Sequence, residues 1–297
     1  MNTSQKYWQS TNEAIPVQTK TILNEYLLSL KLANKAEVTV TKYRSILERF
    51  FSECTISIEE LTSDDVLKWL NKFSQGKKPK TVDLFLSVLS SFFKFCLAEE
   101  YKEHMVIKKR WRPNIPQSLP RYLNEQEYAS VKLVSESLSL RDRAIVLFLF
   151  SSGCRRSELA NLSIEDIDLD RRTARVIGKG KKIRHIHFSL DCALLLKEYI
   201  QSRQDDGIES LFVGRFGKPL KGQGIYHIIK KLGKKAELNH SLHPHSCRHT
   251  FATNMLARGA DLEFIADEMG HANLNTTRVY ARIPTEDMII AYQNRMG

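Results

Sequence analysis

Three of the eight prolines in this 297-residue chain, Pro113, Pro116 and Pro120, fall within eight residues. Lys108, Lys109, Arg110 and Arg112 precede or overlap them, and no acidic residue occurs between Glu103 and Glu125. Proline fixes φ and interrupts helix, so this stretch cannot continue an element on either side. It predicts a basic linker over 108–121 between two domains, 1–107 and 122–297, in line with the chain length. Net charge is +11, with 18 Lys and Arg against 13 Asp and Glu up to residue 120, and 27 against 21 after it. Both parts are basic, which favours a polyanionic partner that both touch.

The five cysteines, Cys54, Cys96, Cys154, Cys192 and Cys247, contain no Cys-x-x-Cys pair, which argues against a disulfide framework or a structural zinc site. The N-terminus has no apolar signal-peptide core, and the longest apolar run, Ala144 to Phe150, is too short to span a bilayer. A soluble cytoplasmic protein without membrane contact is expected.

Helical periodicity dominates the first domain. Ile22, Leu23, Tyr26, Leu27 and Leu30 mark one helix, and Tyr43, Ile46, Leu47 and Phe50 a second. Thr62 with Asp65 reads as the capped start of a third, and Leu84 to Phe93 as the apolar stripe of a fourth over Thr81–Leu97. Four helices make a small bundle. Gln75 to Lys80, with Lys77 and Lys78, is a basic connection able to sit on phosphates. After the linker, Asn124 with Glu127 predicts a helix start, and Arg141–Gly153 a buried helix. Ala174–Gly178 and Ile183–Phe188 predict a hairpin around a Lys-Gly-Lys-Lys turn. Helices are expected over Asp191–Arg203, Gln223–Ala236, His245–Arg258, Leu262–Met269, Thr276–Ala281 and Thr285–Asn294.

Within this frame lie Ser-Gly-Cys-Arg-Arg-Ser-Glu-Leu around Arg155, Gly-Lys-Gly at Lys179, His-Pro-His-Ser-Cys-Arg-His with His245 and Arg248, and Gly-His-Ala-Asn-Leu-Asn-Thr-Thr-Arg-Val-Tyr with His271 and Tyr280. Two arginines, a lysine and imidazoles suit the holding of a phosphodiester while a tyrosine hydroxyl attacks it. His245 and Arg248, at i and i+3, share one helix face.

These strings resemble the tyrosine recombinase, or phage integrase, family, and layout and length are similar to its compact Xer-type and transposon-resolvase members. The likeness is strong from Leu123 to Ala281 and one of pattern over 15–105. It implies a mainly α fold with a small β-sheet: an N-terminal helical bundle of the SAM-like, core-binding type, then a mixed α+β catalytic domain, the two clamping DNA from opposite sides. Carried over by position, Arg155 and Arg248 are the catalytic arginines and Lys179 the proton donor to the leaving 5′ oxygen. His245 manages the tyrosine proton, His271 hydrogen-bonds the phosphate, and Tyr280 is the nucleophile.

Glu158 matches a buried supporting acid, although a surface glutamate fits the spacing nearly as well. Cys154 and Arg156 stand where small or apolar residues are usual, so Arg155 and Arg156 compete for the inward position, and Arg155 is taken. His243 and His249 are expected in core or surface roles. Lys108, Lys109, Arg110, Lys181, Lys182 and Arg184 are expected on the DNA backbone.

The implied activity is site-specific recombination of double-stranded DNA through a 3′-phosphotyrosyl link and a Holliday junction. Neither ATP, a metal nor another cofactor is expected. No Gly-rich Lys-Ser/Thr phosphate loop or acidic cluster for Mg²⁺ stands in the sequence. The partners are a recombination site and a homotetramer on two duplexes, or a heterotetramer with a related recombinase. The segment after Tyr280 would pack on a neighbouring protomer or on its own domain. Type IB topoisomerase-like relaxation and DNA binding without cleavage are the alternatives; chromosome segregation and a mobile element are the two biological settings.

Overall fold

A computed structural model describes residues 6–116, 120–178, 180, 182–203, 207–271 and 276–280. The chain divides into two compact units, Met1–Gln117 and Ser118–Gly297. Lys179, Lys181 and the segment after Tyr280 lie outside the described residues.

The first unit is a helical bundle of α1 (Val17–Leu32), α2 (Glu37–Glu53), α3 (Ser63–Ser74) and α4 (Pro79–Ala98). Thr62 caps α3 as its spacing predicts: its hydroxyl accepts from Asp65 N–H, and the Asp65 carboxylate accepts from Thr62 N–H at 3.1 Å. The α4 stripe of Phe85, Val88, Leu89, Phe92 and Phe93 is buried against Phe50, Phe51 and Trp69 from α2 and α3. By length and composition α4 could cross a membrane, yet here its apolar face builds the core of a bundle. Trp111 packs against this same core, and Arg112 pairs with Asp83 of α4 at 2.6 Å. The start of the basic proline stretch is therefore anchored to the first unit. Lys77, Lys78, Lys108, Lys109 and Arg110 are exposed.

The second unit holds α5 (Glu125–Ser135), α6 (Leu140–Ser152), α7 (Arg156–Ala160), α8 (Leu190–Ser202), α9 (Gly222–Lys235), α10 (Pro244–Ala257) and α11 (Leu262–Met269). Asn124 and Glu127 exchange capping bonds of 2.8 and 3.1 Å at the start of α5. A small antiparallel sheet runs β1 (Ile167–Asp168), β2 (Thr173–Ile177), β3 (Ile183–His187), with Ile177 opposite Ile183. Ile186 and Phe188 turn inward, while Ile183, His185 and His187 face out, as the alternation predicts. From Ala144 to Phe150 α6 is an unbroken apolar run through the core, packed by α8 and α10. Of the helix expected over Thr276–Ala281, the described residues 276–280 form a turn flanked by 3-10 backbone rather than an α-helix, with Tyr280 N–H donating to Thr277 O at 2.9 Å. Two adjacent β-branched threonines make a poor helical first turn.

Candidate active site

The site is organised by the C-terminal end of α11. Gly270 adopts φ +61°, and His271 N–H and Gly270 N–H fold back on Ala266 O and Asp267 O, both at 2.9 Å. This Schellman closure leaves the carbonyls of residues 268, 269 and 270 pointing away without intrahelical partners. Three arginines take them. Arg184 Nε donates to Glu268 O at 3.2 Å, Arg248 Nη2 to Met269 O, and Arg155 Nη2 to Gly270 O at 2.9 Å. Cations at the negative end of a helix are favoured electrostatically.

Each arginine arrives from a different element. Arg155 is the N-cap residue of α7, placed there because Gly153 ends α6 in the left-handed conformation at φ +60°. Arg248 lies on α10, buried, with Nη1 donating to Gly153 O at 2.6 Å. Arg184 comes from β3. Glu158, buried on α7, draws two of the three guanidiniums together. It accepts from Arg155 N and Nη1 at 2.7 and 2.8 Å, and from Arg184 Nη1 and Nη2 at 2.8 and 3.0 Å. Burial alone would raise its pKa, but the hydrogen bonds from Arg184 and Arg155 outweigh it and hold the carboxyl below the usual range. Burial, then the charge of Arg155, pushes Arg248 down to about 10, so it stays charged at neutral pH.

Arg156 turns elsewhere, its guanidinium 5.9 Å from the Tyr226 ring centre. The two adjacent arginines thus divide the roles the sequence left in competition. Arg184, expected on the DNA backbone, has its guanidinium committed to Glu158 and the end of α11; Lys182 is exposed. Lys179 lies outside the described residues, but Gly178 before it abuts the pair: a Cβ there would sit 3.2 Å from Arg184 Nη1 and 3.5 Å from Glu158 Oε1. Gly178 and Arg155 line one cleft of about 450 Å³.

The histidines follow α10 and the turn after α11. His245 is exposed on α10, next to Arg248. Desolvation, then the positive potential of His243, Arg248, Arg156 and Arg155, lowers its pKa. His271 Nδ1 lies 2.8 Å from Thr277 Oγ1; burial, then Arg248 and Arg155, pushes it down to about 4. Tyr280 is buried, and burial raises its phenol to about 12 against the opposing pull of Arg248. Its hydroxyl lies 2.6 Å from Nδ1 of His249, which is itself pushed down to about 4, first by burial and then by His245 and Arg248. His249, expected in a core or surface role, instead meets the Tyr280 hydroxyl. Its signal was the i, i+3, i+4 spacing of His245, Arg248 and His249, which puts all three on one face of α10.

The fold and the family likeness place the chain among DNA strand-transfer enzymes of the tyrosine recombinase class. The chain belongs to the phage integrase family, within its Xer-type tyrosine recombinases, enzymes that cleave and rejoin DNA. Residues 121–286 match the Phage integrase family, and residues 23–100 match the Phage integrase, N-terminal SAM-like domain. The chain is 36% identical over 272 residues to tyrosine recombinase XerA of Pyrococcus horikoshii, covering 90% of both proteins. It is 32% identical over 285 residues to tyrosine recombinase XerC of Bacillus subtilis, covering 91% of this chain and 93% of that one. The crystal structure of XerH site-specific recombinase bound to its palindromic difH substrate shares the fold, with a TM-score of 0.75 at 20% identity, over 95% of this chain and 90% of that one.

Proposed function

We propose that this chain carries out site-specific recombination with Tyr280 as nucleophile and the α11 cluster as the phosphate site. One observation carries the assignment: Arg155 and Arg248 grasp adjacent carbonyls at the end of α11, and His271 and Tyr280 follow directly on the same chain. Tyr280 Oη attacks phosphorus, the bond to the 5′ oxygen breaks, and a 3′-phosphotyrosyl link forms. Arg155, Arg248 and His271 spread the developing negative charge. Lys179 gives a proton to the 5′ oxygen, and His245 receives the phenol proton. A 5′-hydroxyl from the partner strand then reverses the step, so the bond energy is conserved and ATP is not called for.

The basic surfaces of both units, with Lys77, Lys78, Lys108, Lys109, Arg110, Lys181 and Lys182, supply backbone contacts. The working unit is a tetramer on two duplexes, of this chain alone or with a related recombinase, acting in the cytoplasm. The test starts from duplexes retained by the full chain out of a random-sequence library, rebuilt with a nick beside each candidate scissile phosphate. A covalent protein–DNA adduct is expected, absent in Tyr280→Phe. An adduct that persists in Tyr280→Phe would overturn the assignment.

A further inference from the structure

Tyr280 is 1% exposed, enclosed with Phe251, Ala252, Ile265 and Met269. A phenol so enclosed cannot meet a phosphodiester, so the turn carrying it must open before strand cleavage. Two histidine nitrogens pin that turn. His271 Nδ1 holds the Thr277 hydroxyl at 2.8 Å, and His249 Nδ1 holds the Tyr280 hydroxyl at 2.6 Å. His249 sits on a rigid support. It follows Arg248, which is fastened to Gly153 O and Met269 O, and its own carbonyl accepts from Thr253 Oγ1 at 3.0 Å. A hydroxyl buried without an acceptor is strongly disfavoured, so this nitrogen makes the enclosed position of the phenol tolerable.

We propose that His249 is a positioning residue that parks Tyr280: its Nδ1 holds the phenol in the enclosed position and releases it when DNA engages the site. The inference rests on reading Tyr280 as the nucleophile. A neutral imidazole with its proton on Nε2 presents Nδ1 as acceptor and the phenol as donor. Asparagine places its amide oxygen close to where Nδ1 stands, whereas glutamine places it near Nε2. Asparagine should therefore replace the latch, and glutamine and leucine should not.

The experiment treats the full chain, without DNA, with tetranitromethane and measures nitration at Tyr280 by peptide mass spectrometry. Tyr199, buried in the same unit, serves as internal reference. Wild type and His249→Asn are expected to protect Tyr280. His249→Gln and His249→Leu are expected to raise its nitration rate about five- to tenfold, the effect of one ordinary hydrogen bond on an opening equilibrium, with Tyr199 unchanged. Unchanged protection in the Gln and Leu variants, loss of protection in the Asn variant, or an equal rise at Tyr199 would each overturn the latch. If the Leu variant does not fold, the Asn and Gln pair decides. The nucleophile assignment fails separately, by a covalent DNA adduct that survives Tyr280→Phe.

Discussion

Arg184 gives both terminal nitrogens to the carboxylate of Glu158, at 2.8 and 3.0 Å, 26 residues away in sequence. The same carboxylate accepts from Arg155. One buried anion thus sets the spacing of two guanidiniums and, through their bonds to Glu268 O and Gly270 O, ties α7 and β3 to the end of α11.

Replacing Glu158 with Gln should therefore do more than remove a charge. It leaves two partly buried guanidiniums facing each other, a loss of the kind that costs about 3–5 kcal/mol. The expected result is a lower urea midpoint for the second unit and a fall in covalent adduct. Arg184→Met combined with Glu158→Gln should recover part of the stability, since the unpaired charge is removed, without recovering adduct. A midpoint within error of wild type in the single variant would show that the pair contributes nothing.

Stability should fall on mild acidification, and the sign follows from the histidines. His249 and His271 are held down to about 4 in the folded chain, against about 6.5 when unfolded. Between those values the unfolded chain binds protons that the folded chain refuses. Each of the two histidines then removes up to about 1.4 kcal/mol per pH unit as pH drops from about 6.5 towards 4. Glu158, shifted down, acts the same way in a lower window: its contribution is present above the unfolded carboxylate value and is lost as pH falls through its folded one. Urea midpoints taken from pH 7 to pH 4 should decline, with a shallower slope in His271→Gln. Equal slopes in the variant and wild type would rule this out.

The elements that the sequence announced are those whose signals are local. Thr62 with Asp65 and Asn124 with Glu127 are three residues apart and cap their helices as expected. The alternation from Ile183 to Phe188 orients β3 correctly. The residues proposed to handle phosphate stand out only because the family likeness lends meaning to their spacing; composition alone supports only a basic protein. What stayed hidden depends on distant partners. Arg184 looks like one more cation in a basic turn until Glu158 and the α11 carbonyls come to it. His249 looks like a core histidine until Tyr280, 31 residues later, returns to it.

Gly153 should tolerate nothing larger, for two separable reasons. Its φ of +60° disfavours any Cβ, and a Cβ there would lie 2.2 Å from the Phe251 ring. Gly259, at φ +82° with open space around its Cβ position, bears only the first burden. Gly259→Ala is expected to lose about 1 kcal/mol. Gly153→Ala should lose a further 1–3 kcal/mol, roughly the cost of overpacking, and should shift the carbonyl that Arg248 grasps. Equal midpoints for the two variants in urea would mean that Phe251 moves aside freely.

The adjacent arginines Arg155 and Arg156 should differ sharply in their effect on strand cleavage. Arg155 bonds Glu158 and Gly270 O, within reach of the cleft, whereas Arg156 lies over Tyr226. A cation on an aromatic face is worth about 0.5–1 kcal/mol at an exposed site, so Arg156→Ala should keep adduct formation within about tenfold of wild type. Removing a preorganised donor to a transition-state oxyanion costs about 10²–10³ in rate, so Arg155→Ala should slow single-turnover adduct formation by that factor. Arg155→Lys should restore charge but not the paired bonds to Glu158 and Gly270 O, and should remain closer to the alanine variant than to wild type. If Arg156→Ala proves the slower of the two alanine variants, the inward assignment of Arg155 is wrong, and the phosphate contact belongs to the arginine on Tyr226.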